Sequence, residues 1–169
     1  MTTSVTTYYL EITDPNHLVP AEAPPADFEI RQSQLVSLAW DQFLYKSVGQ
    51  DWNWIRRWSW SDEQWLKYLD RPELETWVAY LQGTPIGFFE LEKQTGDQVE
   101  IVQLGLAPGF FGRGLGGAMV TRAIERGWEL GAKRVWLHTC TKDHPIALKS
   151  YQARGLRVYD QIVAPTDLL

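Results

Sequence analysis

The chain has 169 residues, 16 of them basic and 21 acidic, giving a formal net charge of −5 and a pI of about 5.2. That balance argues against wholesale attraction to nucleic acid and favours, if anything, a small cationic partner. With 44% hydrophobic and 22% charged residues, it reads as one globular domain over residues 1–169 that can bury a core. No apolar run approaches the roughly eighteen residues of a membrane span, and residues 1–7 lack the basic and apolar regions of a secretory signal. The lone Cys140 cannot form an internal disulfide, which suits a cytoplasmic location.

Residues 8–12 predict a short strand, followed by a connector carrying Pro15, Pro20, Pro24 and Pro25. The alternation over residues 28–31 predicts a half-buried strand. Leu35, Leu38, Ala39, Phe43 and Leu44 recur at helical spacing over residues 34–48, with Gly49 as the stop. Ser61 followed by Gln64 three residues later predicts a capping box opening a helix with Trp65, Leu66 and Leu69. Residues 77–81 and 86–91 flank a turn at residues 82–85, a hairpin signature, and a second turn at residues 95–97 leads to an apolar strand over residues 99–106. Leu115, Met119 and Ala123 then mark one face of a helix; a strand at residues 134–139, a helix with Ala147 and Tyr151, and a closing strand over residues 156–162 complete the chain. Antiparallel strands come first and strand–helix–strand–helix–strand second, so the fold class is mixed α/β, a mostly antiparallel central sheet flanked by helices, rather than a doubly wound sheet.

Five glycines (Gly109, Gly112, Gly114, Gly116 and Gly117) separate the strand at residues 99–106 from the helix of Met119. Glycines in that place let backbone N–H groups converge on a phosphate, with the helix N-terminal partial charge behind them. Gly112, Gly114 and Gly117 also satisfy the dinucleotide pattern G-x-G-x-x-G. The loop after Leu106 is too long for that motif's tight turn, however, and the chain beyond Asp143 is too short for the remaining βα units. A P-loop fails as well, because no Gly-Lys-Ser/Thr follows at the required spacing.

Residues 108–117, together with the helix of Ala147 and Tyr151, resemble the GNAT superfamily of acyl-CoA-dependent N-acetyltransferases. In the family pattern an Arg or Gln stands three residues before the first of two small residues. Gly114 and Gly116 occupy the small positions here, and Phe111 stands where the Arg or Gln belongs. A second element, Asn, two residues, Ala, three residues, Tyr, three residues, Gly and an apolar residue, is matched by His144, Ala147, Tyr151, Gly155 and Leu156, with His in place of Asn. The resemblance implies an acetyl-CoA site made by Leu104, Leu106, Phe111, Gly112, Arg113, Gly114, Leu115, Gly116, Gly117, His144 and Ala147. Arg113 is the nearest cation to stand in for the missing Arg or Gln, and His144 retains one ring donor or acceptor for a pantetheine amide. Residues 144, 147 and 151 are expected on one helical face, and a bulge at Gly105 is expected to splay the strand from its neighbour.

Acetyl transfer to an amine needs a base, because an alkylamine with a pKa of roughly 10 arrives protonated, and an acid for the leaving thiolate. Tyr151 is implied as the acid by resemblance. Glu100 is the first candidate for the base, because the strand over residues 100–106 resembles the one that carries the base glutamate in the histone acetyltransferases of this superfamily. Alternation places it on one face with Val102 and Leu104, and Glu90 and His138 are alternatives and candidates for the acceptor site. Cys140 has no neighbour that argues for an activated thiolate, so direct transfer is expected. Seven of the nine tryptophans lie between Trp40 and Trp77. Trp52, Trp54, Trp58 and Trp60 read either as a small aromatic core or as a partly open pocket for a cationic or aromatic acceptor, with Trp54 and Trp58 as acceptor contacts and Arg56 or Arg57 as a carboxylate ligand. In this reading residues 1–75 cover the acceptor and residues 99–160 bind acyl-CoA. The acceptor is a small primary amine, with peptide lysine or a non-catalytic acyl-CoA sensor as alternatives. A homodimer stays open, and no metal, membrane or nucleic-acid partner is expected.

Overall fold

The computed structural model describes residues 4–165. Seven strands, β1 (Ser4–Ile12), β2 (Phe28–Ser33), β3 (Leu74–Leu81), β4 (Thr84–Gln94), β5 (Gln98–Leu106), β6 (Arg134–Cys140) and β7 (Arg157–Pro165), form one sheet in the order β2-β3-β4-β5-β6-β1-β7. Four helices, α1 (Leu38–Gly49), α2 (Asp62–Leu69), α3 (Leu115–Glu129) and α4 (Ala147–Ala153), join them. Only β5 and β6, linked through α3, run parallel; the other pairings are antiparallel. This is the mixed α/β class the sequence predicts.

The turns follow their residues. Gln82 and Gly83, at φ of 51° and 77°, make the tight two-residue loop of the β3–β4 hairpin, with Leu81 facing Thr84; such φ values suit primed turns whose twist matches the strands. Ser61 and Gln64 close the predicted capping box at the start of α2. Helix α1 starts later than its apolar spacing suggests, at Leu38 after Ser37, and keeps Gly49 as its last residue instead of stopping before it. The strand predicted at residues 8–12 extends back to Ser4.

That first strand has an unexpected place. It lies between β6 and β7 and pairs antiparallel with both, Tyr9 facing His138 on one side and Asp160 on the other. Leu10 and Ile12 enter the core that α3 forms on one sheet face with Met119, Ala123 and Ile124. A smaller core on the opposite face joins Leu44, Tyr45 and Val48 of α1 and Trp65 and Leu69 of α2 to Val78 and Phe88. Edge strand β7 is exposed along nearly its whole length.

The central position of β1 carries a prediction. Leu10 is fully buried, so Leu10→Ala should lower unfolding free energy by about 2–5 kcal/mol, whereas Val163→Ala on the exposed edge strand should change it by under about 0.5 kcal/mol. Urea denaturation of the two variants checks this; equal effects would contradict the placement of β1.

Candidate active site

Strands β5 and β6 pair for only three residues, Gln98–Glu100 against Arg134–Trp136. Beyond Glu100 and Trp136 they part, leaving the β6-facing edge of β5 without a strand partner. The bulge responsible lies earlier than expected. Glu90 faces Gln103 and Leu91 faces Ile101, so Val102 is the extra residue, and not Gly105. The bulge also changes which side chains share a face. Glu100 stands opposite Glu92, and Gln103 opposite Glu90, while Leu104 packs against the α3 core; the predicted grouping of Glu100 with Leu104 does not hold. Gly105 serves a different purpose: a Cβ there would lie 2.5 Å from a Val48 methyl and 3.5 Å from the Trp54 ring, so its bare backbone admits α1 and the loop after it.

The parted strands open a cavity of about 2100 Å³, more than one drug-sized ligand fills. The glycine loop lies at one end. Gly112 and Gly114 adopt φ of 76° and 75° with open space beside them, which L side chains resist. Helix α3 begins without a side-chain cap. Among the described residues, none of the seven N–H groups from Phe111 to Gly117 donates to a protein acceptor. Unsatisfied donors at a helix N-terminus form a ready anion site.

Tyr151, on α4, lines the same cavity, its hydroxyl pushed well above the usual tyrosine range by burial and by the Asp143 charge, so it holds its proton at neutral pH. Glu100 lines the same cavity. Burial raises its carboxyl, Glu92 adds to the rise, and a 2.8 Å hydrogen bond from Gln94 Nε2 opposes it. Gln94 also accepts from Trp136 Nε1 at 2.9 Å, which fixes the amide between ring and carboxylate. His138 faces the cavity beside Tyr9, with ring centroids 5.8 Å apart; burial and the Arg56 charge push its pKa down. Burial and Asp143 push the Cys140 thiol up, the opposite of an activated nucleophile.

Several candidate residues sit differently from expectation. Glu90 is 2% exposed and accepts two hydrogen bonds from Arg57, each 2.8 Å, and one from Tyr68 Oη at 2.7 Å. It is an internal counterion and not an acceptor ligand or a free base. Arg57 in turn lies 4.1–5.6 Å from the ring centroids of Tyr68, Tyr45, Trp60 and Trp65. The aromatic box therefore exists, but the chain's own arginine fills it. Trp54 packs against Tyr45 and Phe88 and lines the cavity, whereas Trp58 is half-exposed and outside the cavity lining. His144 precedes α4 instead of sharing its face; its Nδ1 accepts from the Ile146 N–H at 3.2 Å, leaving Nε2–H as the free donor. Its ring touches Phe111 and Trp52, at 5.0 and 4.8 Å between centroids, so the two residues that depart from the family motifs meet each other.

The sequence model of the acetyltransferase (GNAT) family matches residues 33–156. The chain belongs to the GNAT acetyltransferase family. Similar solved structures agree in fold. A GCN5-related N-acetyltransferase from Sphaerobacter thermophilus superposes with a TM-score of 0.70 at 19% identity, over 94% of this chain and 50% of that one. One from Kribbella flavida gives 0.68 at 16% identity, over 94% and 56%. An aminoglycoside acetyltransferase from an uncultured soil metagenomic sample, in complex with trehalose, gives 0.66 at 19%, over 82% and 93%. This GNAT chain thus spans about half the length of the first two. No curated protein sequence matches it. Among the described residues there is no His/Cys/Asp/Glu cluster able to hold a metal, and no helix long and apolar enough to cross a membrane. The free N–H groups of residues 111–117 fit the diphosphate of the acetyl-CoA that GNAT enzymes use, and the unpaired edge of β5 fits its pantetheine arm.

The buried Arg57–Glu90 pair joins the loop between α1 and α2 to β4. Arg57→Ala leaves Glu90 buried and unpaired, and should lower unfolding free energy by about 3–5 kcal/mol, measured by urea denaturation. A loss under about 1 kcal/mol would show that the pair is not what holds α2 and its preceding loop to β4.

Proposed function

We propose that this chain transfers the acetyl group of acetyl-CoA directly to a primary amine of a small molecule. One observation carries the reading: a single cavity joins the open N–H groups of the glycine loop to Tyr151 and Glu100 along the gap between β5 and β6. Acetyl-CoA bound there would supply an electrophilic thioester carbonyl and a thiol leaving group. The N–H groups of residues 111–117 anchor its anionic end, and the unpaired backbone of β5 and His144 Nε2–H orient its amides. Tyr151, kept protonated by its surroundings, donates its proton toward the departing sulfur. Glu100 takes the proton from the incoming ammonium, a task for which a carboxyl with a raised pKa is better matched than an ordinary one.

Acceptor charge follows from the same wall. Glu92 and Glu100 both line the cavity; Glu92 is paired with Arg71 at 2.6 Å, which leaves Glu100 as the carboxylate free to attract a cationic amine. The aminoglycoside acetyltransferase among the similar structures acts, by its name, on amino sugars, and a polyamine-like or amino-sugar acceptor agrees with a free carboxylate at Glu100.

Release of free thiol from acetyl-CoA, screened across a library of small amines and lysine peptides, tests the activity. With a responsive amine, Tyr151→Phe should lower kcat by about 10²–10⁴-fold while CoA affinity stays within about twofold, as titration calorimetry would measure. Unchanged turnover removes Tyr151 as the acid, and CoA binding without turnover of any amine by the wild type favours an acyl-CoA sensor. Glu100 acts only when deprotonated, so its limb in the kcat–pH profile should rise with pH above the usual glutamate range, because its pKa is raised. Glu100→Gln should abolish that limb. A limb that persists unchanged assigns the base elsewhere.

A further inference from the structure

Seven of the ten arginines lie within ion-pair distance of a carboxylate. The other three, Arg56, Arg113 and Arg154, have no carboxylate partner among the described residues, and all three line the cavity. In a chain of net charge −5, unpaired cations lining one cavity point to an anionic occupant.

Arg154 is the most firmly placed of the three. It follows the last turn of α4, and its carbonyl accepts from the Val19 N–H at 3.0 Å. The next residue, Gly155, has φ of 101°, and a Cβ there would come within 2.0 Å of the His17 carbonyl oxygen. The connector between β1 and β2 is thereby seated on this turn, and it continues to Ala21, whose N–H donates to Thr121 Oγ1 of α3 at 3.0 Å. Between connector and α3 lies the guanidinium. Its Nη1 is 3.3 Å from where a Cβ on Gly117 would stand, and the Ala21 methyl is equally close to that point. Gly117, in the first turn of α3, therefore leaves the space the guanidinium uses. Arg154 Nε is buried and has no hydrogen-bond partner, and a buried donor without an acceptor is costly unless something arrives to accept from it. Arg113, by contrast, is exposed and reaches back to its own loop, at 3.5 Å from the Gly109 carbonyl and over the Phe110 ring.

We propose that Arg154 is a phosphate-binding residue, delivered from the end of α4 through the gap at Gly117, which supplies the side-chain cation that Phe111 does not. This rests on the acetyl-CoA reading above. The phosphate is either the diphosphate held by the α3 N-terminus or the 3′-phosphate of the ribose.

Titration calorimetry of the full chain with CoA and with 3′-dephospho-CoA tests it. Arg154→Gln should raise the Kd for CoA about tenfold, the worth of one charge-assisted hydrogen bond, and Arg154→Lys should recover part of the loss. A penalty that disappears with 3′-dephospho-CoA assigns the 3′-phosphate; one that persists assigns the diphosphate. Gly117→Ala, which crowds the guanidinium without removing it, should weaken binding by a few-fold and add little on top of Arg154→Gln, and it keeps the test open should Arg154→Gln fold poorly. Wild-type binding of CoA with Arg154→Gln or Gly117→Ala binding both ligands equally well overturns the inference alone. Wild-type failure to bind CoA overturns the acetyl-CoA reading and this inference with it.

Discussion

Everything functional in this molecule depends on the early end of the pairing between β5 and β6. Two parallel strands linked by a helix would ordinarily stay hydrogen-bonded along their length. Here they separate after Glu100 and Trp136, because the extra residue Val102 bends β5 while its antiparallel partner β4 holds it from the other side. The separation leaves a row of backbone groups without strand partners in the middle of a sheet, an arrangement that is stable only if water or a ligand satisfies them. It also turns Glu100 and Gln103 toward the helices α1 and α2, so the carboxylate and the open edge face one space.

The surrounding structure keeps that space open from both sides. On the α3 face, apolar residues at helical spacing lock the helix against β4, β5 and β6, which fixes the N-terminal N–H groups relative to the gap. On the other face, the buried Arg57–Glu90 pair and the aromatic rings around it tie the loop between α1 and α2 to β4. An aromatic box is normally a means of recognising a foreign cation; in this chain it holds an internal arginine as a fastening. Of the two glutamates that β4 and β5 turn to the cavity, Glu100 is the one without an ion-pair partner among the described residues. Arg113 and Arg154 lie by the glycine loop and the first turn of α3, whereas Arg56 lies close enough to Glu100 and His138 for its charge to act toward a lower pKa in both.

Much of this was legible in the sequence where local chemistry decides the outcome. The glycine loop, the Ser61–Gln64 capping box, the hairpin turns and the face of α3 all follow from short-range rules. What escaped depends on partners distant in sequence. Nothing in residues 4–12 says that they insert between β6 and β7, since any alternating strand would read the same. Glycine is the usual local signal for a bulge and points to Gly105; the bulge lies at Val102, set by the register against β4. Glu90 and Arg57 each looked like a ligand group because their pairing spans 33 residues. Helical spacing puts His144 on one face with Ala147 and Tyr151, yet the helix begins at Ala147 with the His144 ring folded back onto the Ile146 N–H. Arg154 carried no motif signal: its importance arises from the missing side chain of Gly117, which only the folded packing reveals.

The central claim is that the gap between β5 and β6 is a slot for acyl-CoA. A crystal structure of the chain with coenzyme A bound tests it most directly. The account requires the diphosphate on the N–H groups of residues 111–117, the pantetheine arm hydrogen-bonded to the free edge of β5, and the sulfur beside Tyr151 Oη. A diphosphate bound elsewhere, or a sulfur remote from Tyr151, would contradict it.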